Sequence, residues 1–312
     1  MIPKMKAHVI INPAAGQGQA SRLWPAIEAL LQAAGVVAQG TFTQGRGDGI
    51  ILAHQAWLAG ARHFLVLGGD GTINEAINGL FQENKVGLEI PTVGLIPCGT
   101  GSDLARSLGI ARDPMTAANQ ALQALKTGTR RVIDMGWMAN QTRDGRAERY
   151  FANVAGLGLD GAVTRWMAMK GGAGRGKLAY LRALFAALKE NCNTEAIVSI
   201  DDQPHRVFLN SIFVCNGNFF GSGMRVSPTA VIDDGWFDVA WLENVAWWEV
   251  IWNAMSLYSG TYVRHPKVKC FRAKSVKVEP GQPMPIEADG EWLKNGASQF
   301  RILPKALGIL VS

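Results

Sequence analysis

The stretch VLGGDGTINEAINGL, Val66 to Leu80, decides how the chain is organised. It continues the apolar run HFLVL from His63, which reads as a strand and stops at Gly68 and Gly69. The chain then passes Asp70 and Gly71 and resumes at Thr72 as a predicted helix with Asn74 and Glu75 in its first turn. Strand, glycine turn and helix in that order aim unpaired backbone N–H groups and the positive end of a helix dipole into one small volume, which suits a phosphate. The two glycines remove side chains that would hold a phosphate off the backbone, and Asp70 adds a carboxylate able to act through a magnesium ion. A Gly-Gly-Asp-Gly turn also serves as a plain tight connection, so its neighbours decide its meaning.

Upstream, KAHVII, Lys6 to Ile11, reads as a buried opening strand, and the loop NPAAGQGQA behind it places Asn12, Gly16 and Gly18 where they can line a nucleotide site. A helix is predicted over Leu23 to Ala34, with Leu23, Ile27, Leu30 and Leu31 on one face, Ser21 as its cap and Gly35 after its end. Val36 to Thr43 gives a second strand, and GRGDGIILAHQAWLAG a helix with Asp48 near its cap. Downstream, the strand PTVGLIP runs into CGTGSDLARSLG, a second glycine turn carrying Asp103. Asp113-Pro114 opens a further helix with Ala118, Ala121, Leu122 and Leu125 inside and Gly128 beyond. Strands alternating with helices of this size imply a parallel sheet covered on both faces, with the glycine turns gathered at its carboxyl edge.

After RRVIDMGWM the texture changes. Strand candidates at Arg149 to Val154, Glu195 to Ile200, Arg206 to Cys215, Trp236 to Leu242, Lys267 to Phe271, Ser275 to Glu279 and Ser298 to Leu303 follow one another with few helices between, a pattern of antiparallel sandwiches and barrels. Helices are predicted at Leu178 to Lys189 and near Ala246 to Tyr258. Trp247, Trp248, Trp252 and Met255 of the latter read as core at helical spacing, with a lipid-facing surface as the competing assignment. The basic loop Lys170 to Lys177 reads as a connection. The boundary falls close to Asp134, dividing the chain into 1–134 and 135–303, with 304–312 a candidate to rejoin the first domain and cover its sheet edge.

A length of 312 residues exceeds what one core usually serves, in keeping with two domains. Neither a leader-like N-terminus nor an apolar run of roughly twenty residues is present, so a cytoplasmic protein is expected. Cys98, Cys192, Cys215 and Cys270 are scattered, and the five histidines show no ligand spacing, so any metal is expected to be a hard ion on carboxylates. Net charge is +6, and Arg264 to Lys277 holds no acid, a stretch suited to anionic partners.

Two glycine turns with Asp70 and Asp103, together with NPAAG, GGDGTINE, PCGTGSDLAR, VSPTAVIDDGWFDVAWL and IEADGEW, resemble the diacylglycerol kinase catalytic-domain family, in particular its soluble bacterial lipid kinases. The motifs run in family order from Asn12 to Trp292. The resemblance implies an N-terminal three-layer α/β domain of the NAD kinase and phosphofructokinase type, followed by a mainly antiparallel β-sandwich domain for the lipid. It implies that Asn12, Gly16, Thr43, Gly68, Gly69, Gly71 and Thr72 hold ATP, with Gly99 and Thr100 beside them. Asp70, Asp103 and Asp134 resemble the acidic network that positions Mg2+ and the triphosphate. Glu291 occupies the general-base position, Asp289 and Gly290 form its supporting turn, and Asp233 and Asp234 resemble a site for a divalent cation. One departure is Ser102, where the commoner family form has Asn.

The implied reaction transfers the γ-phosphoryl group of ATP to a lipid hydroxyl, diacylglycerol to phosphatidic acid first. It needs in-line positioning, neutralised phosphate charge and a base for the hydroxyl proton. A sphingoid or ceramide lipid or NAD as acceptor, or a non-catalytic nucleotide or lipid sensor, are the competing assignments. The partners implied are the lipid substrate, an anionic inner membrane face met peripherally, and a second copy in a homodimer. Nucleic acid is not expected, since no recognition-helix pattern accompanies the basic stretch.

Overall fold

The computed structural model describes residues 5–82, 89–99, 101–142, 145–169, 177–190 and 193–311, with backbone alone for residues 142, 145, 146, 177–181 and 190. Thr100, Cys192 and residues 170–176 of the basic loop lie outside the described residues. The chain forms two compact units, Met1–Ile133 with Lys305–Ser312, and Asp134–Pro304.

The first unit runs β1 (Lys6–Ile11), α1 (Ala15–Ala33), β2 (Val37–Phe42), α2 (Asp48–Leu58), β3 (His63–Gly68), α3 (Asp70–Phe81), β4 (Thr92–Pro97), α4 (Asp103–Ser107) and α5 (Pro114–Thr127). The strands lie parallel in the order β2-β1-β3-β4, and one row of the register joins Thr41, Ile10, Val66 and Leu95. Every residue of β4, and all but the first of β1 and β3, is buried, as strands covered on both faces require. One face packs Val9, Ile11, Leu65 and Leu67 against Ile27 and Leu31 of α1 and Ala121, Leu122 and Leu125 of α5. The other carries Phe64, stacked on Trp57 of α2. Here α3 approaches α2 so closely that a Cβ on Gly79 would lie 2.2 Å from the Ile50 carbonyl oxygen. Beyond β4 the chain's last segment returns, with Gly308 opposite Thr92 and Ile309 opposite Val93 in parallel.

Two helix starts differ from expectation. The α1 segment is broken near its start: Gly16, Gln17 and Gly18 adopt left-handed φ values of 59°, 58° and 82°, which a right-handed helix does not contain, so the regular helix begins only after Gly18, about one turn ahead of the expected Leu23. Ser21 therefore lies within the helix and caps nothing. The α3 helix starts at Asp70 with extended Gly69 as its N-cap, two residues before the expected Thr72. The Asp113-Pro114 start is as expected: the Asp113 carboxylate accepts the Thr116 N–H at 2.8 Å, and Gly128 closes α5 at φ 71°.

The second unit contains β5 (Arg131–Thr142), β6 (Gly145–Phe151), β7 (Val154–Gly158), α6 (Leu159–Met169), α7 (Lys177–Glu190), β8 (Thr194–Ile200), β9 (Gln203–Cys215), β10 (Phe219–Phe220), β11 (Met224–Arg225), β12 (Phe237–Glu243), α8 (Trp247–Ser259), a 3-10 turn (Thr261–Arg264), β13 (Val268–Ala273), β14 (Ser275–Pro280), β15 (Met284–Ala288) and β16 (Glu291–Ile309). The first three residues of β5 and residues 305–309 of β16 belong to the first unit; within the second the pairings are antiparallel, and the path β9-β7-β15-β16-β14-β8 returns to β9. Phe151 fills the centre, stacked on Phe237 at 5.6 Å and edge-on to Phe300 at 6.2 Å between ring centroids. This is the sandwich-like second domain the motifs imply.

Three details depart from the expected pattern. The strand read as Arg149 to Val154 breaks at Ala152 and Asn153, whose N–H groups turn to the Asp289 carboxylate. The α6 helix, entered through Gly158 at φ 107°, and the short β15 are additional elements. The tryptophan helix is not core on its aromatic side: Trp247, Trp248, Trp252 and Met255 are 63%, 52%, 82% and 75% exposed, while Val250 packs inward against α6 and α7.

Candidate functional site

In a parallel sheet of order β2-β1-β3-β4, successive connections leave β1 and β3 in opposite directions, which makes the carboxyl ends of these two strands the switch point where open α/β sheets take ligands. Both predicted phosphate loops end there. The Asn12 backbone N–H donates to the Leu67 carbonyl at 3.0 Å, and its side-chain amide donates to the Thr72 hydroxyl at 2.9 Å, tying the first loop to the GGDGT turn. Thr43 joins the same edge through its N–H to the Ile11 carbonyl, 2.9 Å away. Gly16 packs beneath this group, its added Cβ falling 3.3 Å from the Cys98 carbonyl oxygen.

The two glycine turns brace each other. Cys98 N–H donates to the Gly68 carbonyl at 2.7 Å, and a Cβ on Gly99 would come within 3.2 Å of the Gly69 Cα. A Cβ on Gly68 would meet the Thr72 side chain at 2.7 Å, whereas one on Gly71 would meet open space. Asp70 is the clamp. Its Oδ2 accepts the Ser102 N–H at 2.7 Å and its Oδ1 the Asp103 N–H at 3.0 Å, so one buried carboxylate caps the N-terminus of α4. Desolvation pushes the Asp70 carboxyl above its ordinary range, and these backbone donors pull it partly back. Asp103, also buried, sits 3.8 Å from the Arg106 guanidinium. Ser102 holds a left-handed φ of 53°, a conformation Asn tolerates better than Ser, which gives the family's usual Asn a physical reason.

Glu75, in the second turn of α3, has a role the sequence alone did not show. Its two oxygens accept the Gly47 and Gly49 N–H groups at 2.8 and 3.0 Å, fixing the start of α2.

The second unit carries the other acids. Asp134, fully buried, accepts the Gly235 N–H at 2.6 Å, and its own N–H donates to Ile232. It therefore anchors the IDDGW turn. In that turn the Asp234 carboxylate pairs with Arg272 and accepts the Trp236 N–H at 3.1 Å. Among the described residues no group of three or more histidine, cysteine or acidic side chains is placed to hold a metal. With the Asp234 carboxylate committed to a guanidinium, this turn fits a divalent cation poorly.

Glu291 opens β16 directly after a two-residue hairpin. Asp289 and Gly290, at φ 47° and 81°, form the turn that Asp-Gly favours between antiparallel strands, with Ala288 opposite Glu291. Two carboxylates anchor the turn: that of Asp289 accepts the N–H groups of Ala152, Asn153 and Val154 at 2.8, 3.0 and 3.0 Å, and Oε2 of Glu287 accepts the Gly290 N–H at 2.8 Å. The Glu291 carboxylate is largely buried and its Oε2 is paired with Arg149 on β6. Arg149 escaped the sequence reading because nothing local links it to a residue so far along the chain.

A third glycine–aspartate junction, Gly158 to Asp160, enters α6. Both Asp160 oxygens and Glu287 Oε1 are buried without a hydrogen-bond partner. Burial pushes the Asp160 carboxyl up to about 7, and burial together with the neighbouring Asp160 charge pushes Glu287 well above its ordinary value.

Residues 6–138 match the family model of the diacylglycerol kinase catalytic domain, and residues 153–311 that of the YegS C-terminal NAD kinase beta sandwich-like domain. The chain is 28% identical over 290 residues to a diacylglycerol kinase of Staphylococcus carnosus, covering 93% of this chain and 89% of that relative. It is 29% identical over 288 residues to one of Bacillus subtilis, covering 92% and 90%. Its fold is similar to the crystal structure of a diacylglycerol kinase from Bacillus anthracis (TM-score 0.72, 19% identity, 99% of this chain and 97% of that one). Yeast NADH kinase complexed with NADH is similar at a TM-score of 0.56 and 9% identity, over 99% of this chain and 83% of that one. With family models matching both halves and relatives aligned across nearly its whole length, this chain belongs to the diacylglycerol kinase family of lipid kinases and is itself a kinase.

Proposed function

We propose that the protein transfers the γ-phosphoryl group of ATP to a lipid hydroxyl, with diacylglycerol as acceptor and phosphatidic acid as product. The observation that carries this reading is the mutual bracing of the two glycine turns through Asp70, which leaves Gly71 facing open space at the carboxyl edge of a parallel sheet. Asn12, Gly16, Thr43, Gly68, Gly69, Gly71, Thr72, Gly99 and Thr100 hold ATP in this reading.

Asp70 and Asp103 offer hard oxygen donors beside the phosphate loops. That donor set suits Mg2+, which keeps several waters and shares phosphate oxygens, so no protein cage is needed. When bound with ATP, the ion neutralises triphosphate charge. Asp70 keeps the second turn in place, and Asp134 orders the Gly235 turn.

Glu291 takes the proton of the acceptor hydroxyl. The acceptor oxygen then forms its bond to the γ-phosphorus as the bond from that phosphorus to the β–γ bridging oxygen breaks, and ADP leaves with that oxygen. Arg149 engages Oε2 and so orients the carboxylate.

The protein meets its acceptor at a membrane surface as a peripheral cytoplasmic enzyme; among the described residues no helix is long and apolar enough to cross a bilayer. Labelled ATP with a panel of diacylglycerol, ceramide, sphingosine and NAD, and the Asp70→Ala protein as blank, tests the proposal. Label in phosphatidic acid is expected. Label in NADP alone would replace the lipid reading, and the NADH kinase likeness makes that the informative competitor.

A further inference from the structure

We propose that the outward face of α8 is the surface by which this protein docks on an anionic lipid bilayer. The inference deepens the lipid-kinase reading and rests on it only for why such docking is useful.

On the wheel of α8, Trp247, Tyr258, Ile251, Met255, Trp248 and Trp252 fall in order along one arc, and Val250 and Leu257 lie opposite. The inward residues are the anchored ones. Val250 packs with Val163 of α6 and with Leu184 and Ala187 of α7, and Leu257 packs against the core around Phe213 and Tyr262. The arc is turned outward, with Trp252 at 82% and Met255 at 75% exposure. Met169 at the end of α6 and Phe185 of α7, in the same group of packed helices, are exposed as well. Four large apolar side chains on one short helix exceed the singly scattered apolar residues of an ordinary surface.

Charge selects the occupant. The only charged residue of α8 is Glu249, and its carboxylate is consumed by Lys267 at 2.7 Å and by the Ala246 N–H at 2.8 Å. Lys267, just ahead of β13, is thereby held against α8, and the 3-10 turn packed on α8 ends in exposed Arg264, which makes no ion pair with a described residue. Indoles favour the membrane–water interface, where the ring is half apolar and its N–H finds water or headgroups, and cations beside it attract anionic lipid. A 13-residue helix of this kind lies in the interface plane without spanning it. A two-fold contact with a second copy would instead bring two sets of the same cations to one rim, with no acid on the arc to offset them.

The test uses the full chain and sedimented vesicles of phosphatidylcholine, with or without about a third phosphatidylglycerol. The expected result is binding to the anionic vesicles that weakens with salt, accompanied by a blue shift of tryptophan emission. In the Trp248→Ser/Trp252→Ser protein binding should fall about tenfold or more, since two indoles no longer leave water. Arg264→Glu should weaken binding to the anionic vesicles while leaving the residual binding to neutral ones unchanged. Circular dichroism of each variant should match that of the wild type, and phosphorylation of a water-soluble short-chain diacylglycerol should stay within about twofold, because no reacting group is touched.

Wild-type protein that ignores anionic vesicles overturns the proposal, as does a tryptophan variant that binds like wild type. A dimer that the tryptophan variant dissolves while vesicle binding persists assigns the face to a second copy and also overturns it. Vesicle binding through α8 with no lipid phosphorylated would leave the docking surface standing and defeat the function proposed above. Lipid phosphorylation without α8-dependent binding would do the reverse.

Discussion

Replacing Asp289 with Asn isolates the device that positions Glu291. The carboxylate accepts three N–H groups, from Ala152, Asn153 and Val154, all buried residues. Asn keeps the size and the tolerance for a positive φ but has one acceptor oxygen in place of two, and its NH2 group points donor to donor. At least one buried N–H then loses its partner and the remaining bonds lose charge assistance, a cost of about 2–4 kcal/mol. For a unit of this size each kcal/mol lowers Tm by about 2–4 °C, so a fall on the order of 4–16 °C is expected by calorimetry. Alanine, which orphans all three donors, should cost more.

The functional readout separates positioning from general weakening. Below the melting range, kcat toward a lipid acceptor should drop while the KM for ATP stays near wild type, because only the turn that carries Glu291 has loosened. An Asn variant melting within about 2 °C of wild type would refute the energetic reasoning, since that is less than one such bond is worth. A variant that melts early yet keeps full kcat would refute the positioning role.

Glu291→Gln retains shape and removes the basic oxygen; kcat should fall about 10²–10⁴-fold with ATP affinity intact by calorimetric titration, and near-normal turnover would remove Glu291 from the base role. Gly79→Ala gains about 1 kcal/mol of helix propensity but places a Cβ 2.2 Å from the Ile50 carbonyl oxygen, so the clash wins and the urea midpoint should drop, by about 1–3 kcal/mol overall. Ser102→Asn should raise stability by about 0.5–1 kcal/mol, because Asn accepts the left-handed φ of 53° more readily; an unchanged midpoint would count against that account. Asp160, pushed up to about 7 by burial, binds its proton more tightly folded than unfolded. Its stabilising contribution is complete below the ordinary carboxylate range and is lost as pH rises through about 7, so Asp160→Asn should flatten the fall of Tm with pH and melt higher than wild type at pH 8.

The first unit was readable because each of its junctions is punctuated locally. A buried apolar run, one or two glycines and an acid recur at Gly68–Asp70 and at Cys98–Asp103, and parallel topology brings the ends of β1, β3 and β4 to one edge whatever the packing details. The same grammar at Gly158–Asp160 stayed unread; Gly161 sits in the first turn of α6, where a Cβ would lie 2.4 Å from the Pro285 carbonyl oxygen, a contact that exists only in the fold. Partners distant in sequence stayed hidden for the same reason: nothing near Arg149 marks it as the mate of Glu291, nor Asp289 as the clamp on Val154. Trp252 shows the limit of periodicity. Spacing says that the tryptophans share one side of α8 but not whether that side faces protein or solvent, and here it faces out.

The return of residues 305–311 to the first unit bears on how the protein is made. Leu307, Ile309 and Leu310 are buried, and the Leu310 N–H donates to the Val93 carbonyl at 2.9 Å, so the parallel sheet gains its fifth strand from the far end of the chain. During synthesis β1 to β4 leave the ribosome early, but β4 must wait, its outer edge unpaired, until the whole second unit has followed. A fragment ending at residue 133 should therefore be prone to edge-to-edge association, and a circular permutant that places 305–311 directly ahead of β1 should let the first unit fold without that delay.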